Sequence, residues 1–307
     1  MINMVRDDHM AKILVCGGTG FVGSAIVKKL IDRHSVTILT RSAHPKNTIP
    51  GVEYVRGDIS NISDIENAMK NCEVVINATQ FDNAPFENPR KGKTYEKVDG
   101  DGTVNVVHAA KKMNISHILY ISGAGVEEGK TENWFRAKLR AESAVRNSGI
   151  PYTIFRPSWV YGKNDRSLNR MIPMIRYSPV AFILGKGYRI QPIYIDDVAN
   201  IVAKAIELSK AHNQVYELAG PESLTMKEIL STVARVLKKR RFYVHVPKSL
   251  AGIAFSILEK IPGSIITRAA LDFITMNVVI SEEEQKRIQN DFEISPLSLE
   301  KGLKTYL

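Results

Sequence analysis

A chain of 307 residues, 44% hydrophobic and 24% charged, can hold one α/β domain with an appended lobe, or two smaller domains. Forty-two Lys and Arg against thirty-two Asp and Glu leave a net charge of +10. That points to an anionic partner (a phosphate-rich cofactor, an acidic membrane surface or nucleic acid) or to no more than a lysine-rich solvated surface. Two cysteines in a chain this long argue for a reducing compartment, no metal-ligand spacing is present, and no apolar run is long enough to span a bilayer.

The first eleven residues, MINMVRDDHMA, are polar and lack a signal peptide's apolar run. They read as an N-terminal extension, and the protein is expected to be cytoplasmic or at most peripheral at a membrane. From residue 12 to 160, β-branched runs alternate with helical patterns. KILVCG leads into VGSAIVKKLIDR and SVTILTR; then come VEYVRGD, ISDIENAMKN, CEVVINAT and TVNVVHAAKKMN. HILYISG, a helix around 134–147 and YTIFRPS complete the series. This alternation predicts βαβ units in an α/β fold: a Rossmann-type, doubly wound parallel sheet with helices on both faces. Cys16 and Cys72 fall beside buried strands, where packing is their expected role.

Beyond residue 160 the alternation loosens. YGKNDRSLNRMIPMIRYSP is a polar loop entering a helix. GYRIQPIYIDDVANIVAKAIEL is a strand followed by a helix, with Asp196 or Asp197 as its N-cap. QVYELAG is a further strand and TMKEILSTVARVLKK a capped amphipathic helix. Residues 248–280 read as two helical segments divided by Pro262-Gly263.

The strongest chemical signal is ILVCGGTGFVGSAIVKKL. Gly17 permits a tight turn, Gly20 lets backbone approach a pyrophosphate, and Gly23 lets helix and strand pack closely. Thr19, Phe21 and Val22 lie in the same turn, where a helix N-terminus offers free N–H groups and a positive dipole end to phosphates. Because the glycines follow the first strand and open the first helix, they predict a dinucleotide site. Arg41, just after the second strand, stands where an NAD site carries an acid. A guanidinium there suits a 2′-phosphate, so the expected cofactor is NADP(H). The NADP-binding domain is placed at 12–160, recruiting parts of 190–220, and a small α/β C-terminal lobe for substrate or partner at 161–307.

GGTGFVG, the GD at 57–58, NAT at 77–79 and ISGAG at 121–125 resemble the extended and atypical short-chain dehydrogenase/reductase superfamily. Within it, FRPSWVYGKNDRSLNRMIPMIRYSP, QPIYIDDVA and ITRAALDFITMN look most like the branch containing the NADPH-binding accessory subunit of respiratory complex I and its prokaryotic relatives. The resemblance implies that Asp58 and Ile59 lie against the adenine. Ala78 and Thr79 would line the path to the nicotinamide ribose, and Pro157 and Ser158 would meet the nicotinamide.

The superfamily's chemistry uses a tyrosine, a lysine four residues later and a serine or threonine that holds the substrate oxygen. Tyrosine is a weak base at neutral pH until a neighbouring ammonium stabilises its phenolate. Here Lys138 is present, but the position four residues earlier holds Trp134, whose indole N–H cannot exchange a proton in this range. Ser122 ends the fifth strand and is expected to hydrogen-bond the cofactor or the strand end; the downstream contact position holds Ala124. Tyr95, Tyr161 and Tyr194 are substitutes without a lysine at helical spacing. Lys138 is expected to hold the ribose hydroxyls without a tyrosine.

In the second lobe Arg166, Asn169 and Gln191 would face the cleft, with Asp165 and Arg166 alternatively a loop ion pair. Segment 248–274, with Lys248, Lys260 and Arg268 after the basic run 238–241, has the composition of an interfacial helix on anionic lipid, or else of a lobe-covering pair. The leading expectation is an NADP(H)-binding protein whose cofactor is structural or regulatory. An NADP-dependent oxidoreductase or epimerase with other acid/base residues is the alternative, and RNA binding on this scaffold a minor one.

Overall fold

Strand β1 (Lys12–Cys16) is apolar at almost every position because both of its sides are covered. Ile13 and Val15 face one core, and Leu14 and Cys16 the other. The computed structural model describes residues 10–45, 48–81, 84, 86–184, 186–258 and 276–307. Around β1 lie β2 (Ser35–Thr40), β3 (Glu53–Arg56), β4 (Val74–Asn77), β5 (His117–Ile121), β6 (Tyr152–Pro157) and β11 (Gln214–Leu218). They form one seven-stranded sheet in the order β11-β6-β5-β4-β1-β2-β3, parallel throughout. Val15 pairs with Ile38 on one side and Ile76 on the other, so strand order reverses at β1 and a crevice opens at the carboxyl ends of β1 and β4.

On one face, α1 (Phe21–Leu30) and α6 (Ile195–Ile206) bury Ile26, Val27, Val198, Ile201 and Val202. On the other, α2 (Ile62–Ala68), α3 (Gly102–Lys112) and α4 (Asn133–Arg146) cover the core that holds Cys16 and Cys72. Burial pushes the two thiols up, to about 12 and about 11, so both are packing residues and not thiolates. A π-helical turn, Tyr95–Asp101, runs directly into α3.

The second lobe holds three two-stranded sheets. They pair β7 (Val160–Tyr161) with β10 (Ile193–Tyr194), β9 (Arg189–Ile190) with β12 (Leu224–Thr225), and β8 (Val180–Leu184) with β13 (Phe242–Val246). Helices α5 (Leu168–Tyr177), α7 (Met226–Val236) and a short C-terminal helix, α10 (Leu299–Leu303), close its core. Helix α8 (Lys248–Leu258) follows β13, and α9 (Glu282–Phe292) packs Phe292 edge-on against Tyr216 of β11. Among the described residues no helix is long and apolar enough to cross a membrane.

Helix α6 and strand β11, within 190–220, belong to the main sheet, and α9 packs there as well. Two expectations change. The N-cap of α6 is Tyr194, with Asp196 and Asp197 inside the first turn; the Asp197 carboxylate instead accepts the Leu297 N–H at 2.8 Å. Strands β8 and β13 lie in stretches to which the sequence pattern assigns no element. The anticipated cap of α7 is a full capping box between Thr225 and Glu228. Lys260, Arg268, ITRAALDFITMN up to 275, the Pro262-Gly263 break and extension residues 1–9 lie outside the described residues.

Candidate functional site: a dinucleotide crevice above a buried ion pair

The turn after β1 is a cradle that side chains would fill. Gly17 sits at φ +81°, and a Cβ there would come 2.6 Å from the Ala78 carbonyl oxygen; one on Gly23 would come 2.2 Å from the Gly17 oxygen. The Gly20 N–H closes the turn on the Gly17 oxygen at 2.9 Å. Helix α1 then starts with no side-chain cap and no acid in its first turn. Its first amides and positive dipole end are thereby left for an anion. Thr19 and Gly20 are exposed, and Phe21 and Val22 half-buried.

The other predicted contacts gather around the same crevice at the carboxyl ends of neighbouring strands. Arg41 is exposed one residue past β2. Asp58 and Ile59 follow β3, where Asp58 closes a turn by accepting the Ser60 N–H and hydroxyl at 2.8 and 2.7 Å. Ile59 is buried beneath α3, and its carbonyl accepts from Asn105. Ala78 and Thr79 follow β4; Pro157 ends β6 and Ser158 follows it. The hydroxyls of Thr79 and Ser158 are buried without a hydrogen-bond partner. Orphaned polar atoms at two predicted contacts, beside a glycine cradle, are what a polar dinucleotide would satisfy, so these residues fit the cofactor.

The remaining two predicted contacts are engaged elsewhere. The Ser122 hydroxyl donates to Glu142 at 2.6 Å, beneath α4. Glu142 is also held by Arg156 through two bonds of 2.9 and 2.7 Å and by Arg146. Ser122 therefore locks strand to helix, as a charged acceptor requires of the nearest donor. Lys138 is buried, with its ammonium 3.0 Å from the carboxylate of Asp99, itself 0% exposed. It also donates to the Ile121 carbonyl at 3.3 Å and lies over the Tyr120 ring. Burial opposes the ammonium, but the Tyr120 phenol and Asp99 outweigh it and hold Lys138 above the usual lysine range. Burial raises the Asp99 carboxyl, and Lys138 counters it. The pair titrates as a unit.

A wall of hydrogen bonds steadies this pair: Asn77 donates to Thr103, and the Thr103 hydroxyl to the Asp99 carbonyl at 2.6 Å. Trp134 lies at the start of α4 with its indole against Gly123, where a Cβ would come 2.5 Å from Cζ2. The ring packs edge-on to Phe135 and joins the cluster of Phe81, Tyr95 and Ala137. The bulky indole thus occupies the strand end beside which a catalytic tyrosine would stand.

The substitute tyrosines are not free to act. The Tyr161 hydroxyl is sealed against α10 and the Ser298 carbonyl, and Tyr194 bonds Thr305 at 2.8 Å. Tyr95 is buried against Phe81, and burial raises its phenol out of the working range. In the second lobe Gln191 accepts the Ile280 N–H, and Asn169 donates to the Gly162 and Lys163 carbonyls. Asp165 accepts two amides where α5 begins instead of pairing with Arg166. Among the described residues no three His, Cys, Asp or Glu are grouped to hold a metal.

Sequence reading missed Asp99, Tyr120, Glu142 and Arg156. The available signal was periodicity: Glu142 is four residues after Lys138, so both lie on the buried face of α4.

Comparisons with known proteins agree with this geometry. The sequence profile of a family described as NAD(P)H-binding matches residues 17–207. The mitochondrial NADH-ubiquinone oxidoreductase 40 kDa subunit of Neurospora crassa is 25% identical over 80% of this chain and 65% of its own length. The photosystem II assembly factor Ycf39 of Trieres chinensis is 24% identical over 71% of this chain and 67% of its own. The chain thus spans about two thirds of each of these relatives. Among solved structures, a UDP-glucose 4-epimerase of Thermotoga maritima with UDP-glucose superposes with a TM-score of 0.73 at 18% identity, over 96% of this chain and 98% of that one.

Proposed function

This chain belongs to the NAD(P)H-binding family, and from that premise we propose that it holds NADP(H) as a structural or regulatory group without running the superfamily's tyrosine-driven hydride chemistry. The observation that carries the proposal is the Asp99–Lys138 pair one turn along α4 from Trp134. A working site needs a phenol at position 134 and an uncompensated ammonium to stabilise its anion. This chain has an indole in the first place and a carboxylate neutralising the second.

The glycine cradle with Thr19, Phe21 and Val22 would take the pyrophosphate, Arg41 the 2′-phosphate, and Asp58 with Ile59 the adenosine side. Ala78, Thr79, Pro157 and Ser158 would line the nicotinamide half. When bound, the group supplies a hydride at its nicotinamide ring; among the described residues, the tyrosines that would exchange the accompanying proton, Tyr95, Tyr161 and Tyr194, are packed or hydrogen-bonded elsewhere. Two relatives named as a respiratory subunit and an assembly factor support a role inside a larger complex.

The test is purification without added nucleotide, extraction and identification of any retained dinucleotide, then turnover on ketone, quinone and UDP-sugar panels. Retained NADP(H) with no oxidation above background supports the proposal. Steady NADPH consumption with any substrate overturns it and revives the oxidoreductase or epimerase alternative.

A further inference from the structure

The net charge of +10 is not spread over the surface. Stretches 166–195 and 229–258 contain eleven Lys and Arg and no Asp or Glu, while the other residues hold thirty-one against thirty-two. The whole excess therefore sits in two segments that the fold brings together, since β8 belongs to the first and β13 to the second and they pair in parallel.

The register places Val180 beside Phe242, Phe182 beside Val244 and Leu184 beside Val246, alternating with Ala181–Tyr243 and Ile183–His245. Ala181 and Ile183 are buried in the lobe core, so the first three pairs form the outer face. A sheet covered on one side normally turns polar residues outward. Here all six outward positions are apolar, and Phe182, Phe242 and Val244 are 58%, 78% and 44% exposed. Tyr177 at the end of α5, and Leu250 and Ile253 on α8, add further exposed apolar surface next to the two strands.

Cations bracket this face. Arg176 and Lys238, Lys239 and Arg240 enter the strands at one end, and Lys186 and Lys248 leave them at the other; all are exposed. The Arg241 guanidinium bonds the carbonyls of Ile175 and Arg176, which fixes the basic run against the end of α5. Five residues of strand separate the two groups by roughly 16 Å.

We infer that the outer face of the β8–β13 sheet docks on an anionic phospholipid bilayer, with Phe182, Phe242 and Val244 at the headgroup boundary and the bracketing cations on lipid phosphates. Apolar side chains between cations, on two stretches that carry no acid of their own, are the composition such an interface selects. A second copy would bring two cationic faces together, and four of the six outward side chains, Val180, Leu184, Val244 and Val246, are aliphatic groups that bury among acyl chains but do not stack on bases.

The full chain would be co-sedimented with phosphatidylcholine vesicles, with and without 30% phosphatidylglycerol, in low and high salt. The controls are F182S/F242S and K238E/K239E/R240E, each checked by circular dichroism melting. Binding to anionic vesicles only, weakened by salt, cut at least about tenfold by the apolar pair and about a hundredfold by the charge reversals, supports the inference. No binding to anionic vesicles overturns it. So does binding indifferent to F182S/F242S and displaced by RNA, which marks a general polyanion site. A dimer broken by F182S/F242S without vesicle binding overturns it in favour of a second copy.

Discussion

Removing one member of the Asp99–Lys138 pair should damage the protein far more than removing both. At 3.0 Å and an effective dielectric constant near 20, the attraction is about 5–6 kcal/mol. Each group alone would be left buried and unpaired. Lys138→Met and Asp99→Asn should therefore each cost about 3–4 kcal/mol at pH 7, and the neutral double variant only about 1–2. The coupling then approaches 5 kcal/mol. The assay is urea unfolding followed by circular dichroism, with the slope held constant among variants.

The pH dependence carries a definite sign. In Lys138→Met, the buried Asp99 carboxyl lies above its unfolded value. Its contribution is present at low pH and lost as pH rises through the folded value. That variant should therefore be closer to wild type at pH 4.5 than at pH 8. NADPH affinity provides the functional half. If the ammonium is spent on Asp99, the double variant should bind NADPH within about threefold of wild type. Additive single costs, agreeing within about 0.5 kcal/mol, would refute the reasoning, because the charges would then not be compensating one another. So would collapse of NADPH affinity in the stable double variant, which would return Lys138 to the ribose.

Arg41→Ala should weaken NADPH by about 10–100-fold and leave NADH nearly unchanged, as loss of one charge-assisted contact predicts; equal loss in calorimetric titrations would remove the 2′-phosphate assignment. Gly23→Ala should abolish measurable NADPH binding and lower the melting temperature, since its methyl meets the Gly17 oxygen; wild-type affinity would show that the cradle is not the site. Burial, with some help from His212, depresses His117 to about 3. Its stabilising contribution is complete above the ordinary value near 6.5 and falls as pH drops towards 3, by about 2 kcal/mol at pH 5. His117→Gln should flatten that limb in urea titrations from pH 7.5 to 5, and identical slopes would exonerate His117. Trp134→Tyr should stay inactive, whereas Trp134→Tyr with Asp99→Asn should lower the new phenol by roughly two pH units, for an ammonium about 6 Å away. A depressed phenol in the single variant, read by ultraviolet difference titration against Trp134→Phe, would contradict this.

Much of the Rossmann half was legible because its signals are local. The apolar run of β1 and the spacing of Gly17, Gly20 and Gly23 each report on a few neighbouring residues, and they mark the tight turn that ends β1 and opens α1. What stayed hidden depends on partners distant in sequence. Nothing near Asp99 announces that its carboxylate meets Lys138, or that Glu142 gathers Ser122 and Arg156. Strands β8 and β13 were missed for a related reason: VAFIL and FYVHV are five residues each, and neither shows polar residues at the outward positions that mark a half-exposed strand. Their outward apolar residues made the sequence hard to read, and the same residues make the surface noteworthy.

Trp134 and Asp99 act on one reaction from opposite sides. An indole at position 134 removes the proton carrier, and a carboxylate at position 99 cancels the charge that would have activated it. Either alone would impair proton transfer, and neither belongs to the glycine cradle or to the strand ends that carry Thr79 and Ser158. Cofactor binding rests on backbone geometry and strand-end hydroxyls, whereas proton transfer rests on one helix face and the charge beneath it. Because those two sets of residues share no side chain, the fold can lose the chemistry while keeping the crevice. The orphaned hydroxyls of Thr79 and Ser158 give it a physical reason to keep the ligand as well. Each buried donor left unmatched costs about 1–3 kcal/mol, which a bound dinucleotide would return to the stability of the fold whether or not its hydride is ever transferred.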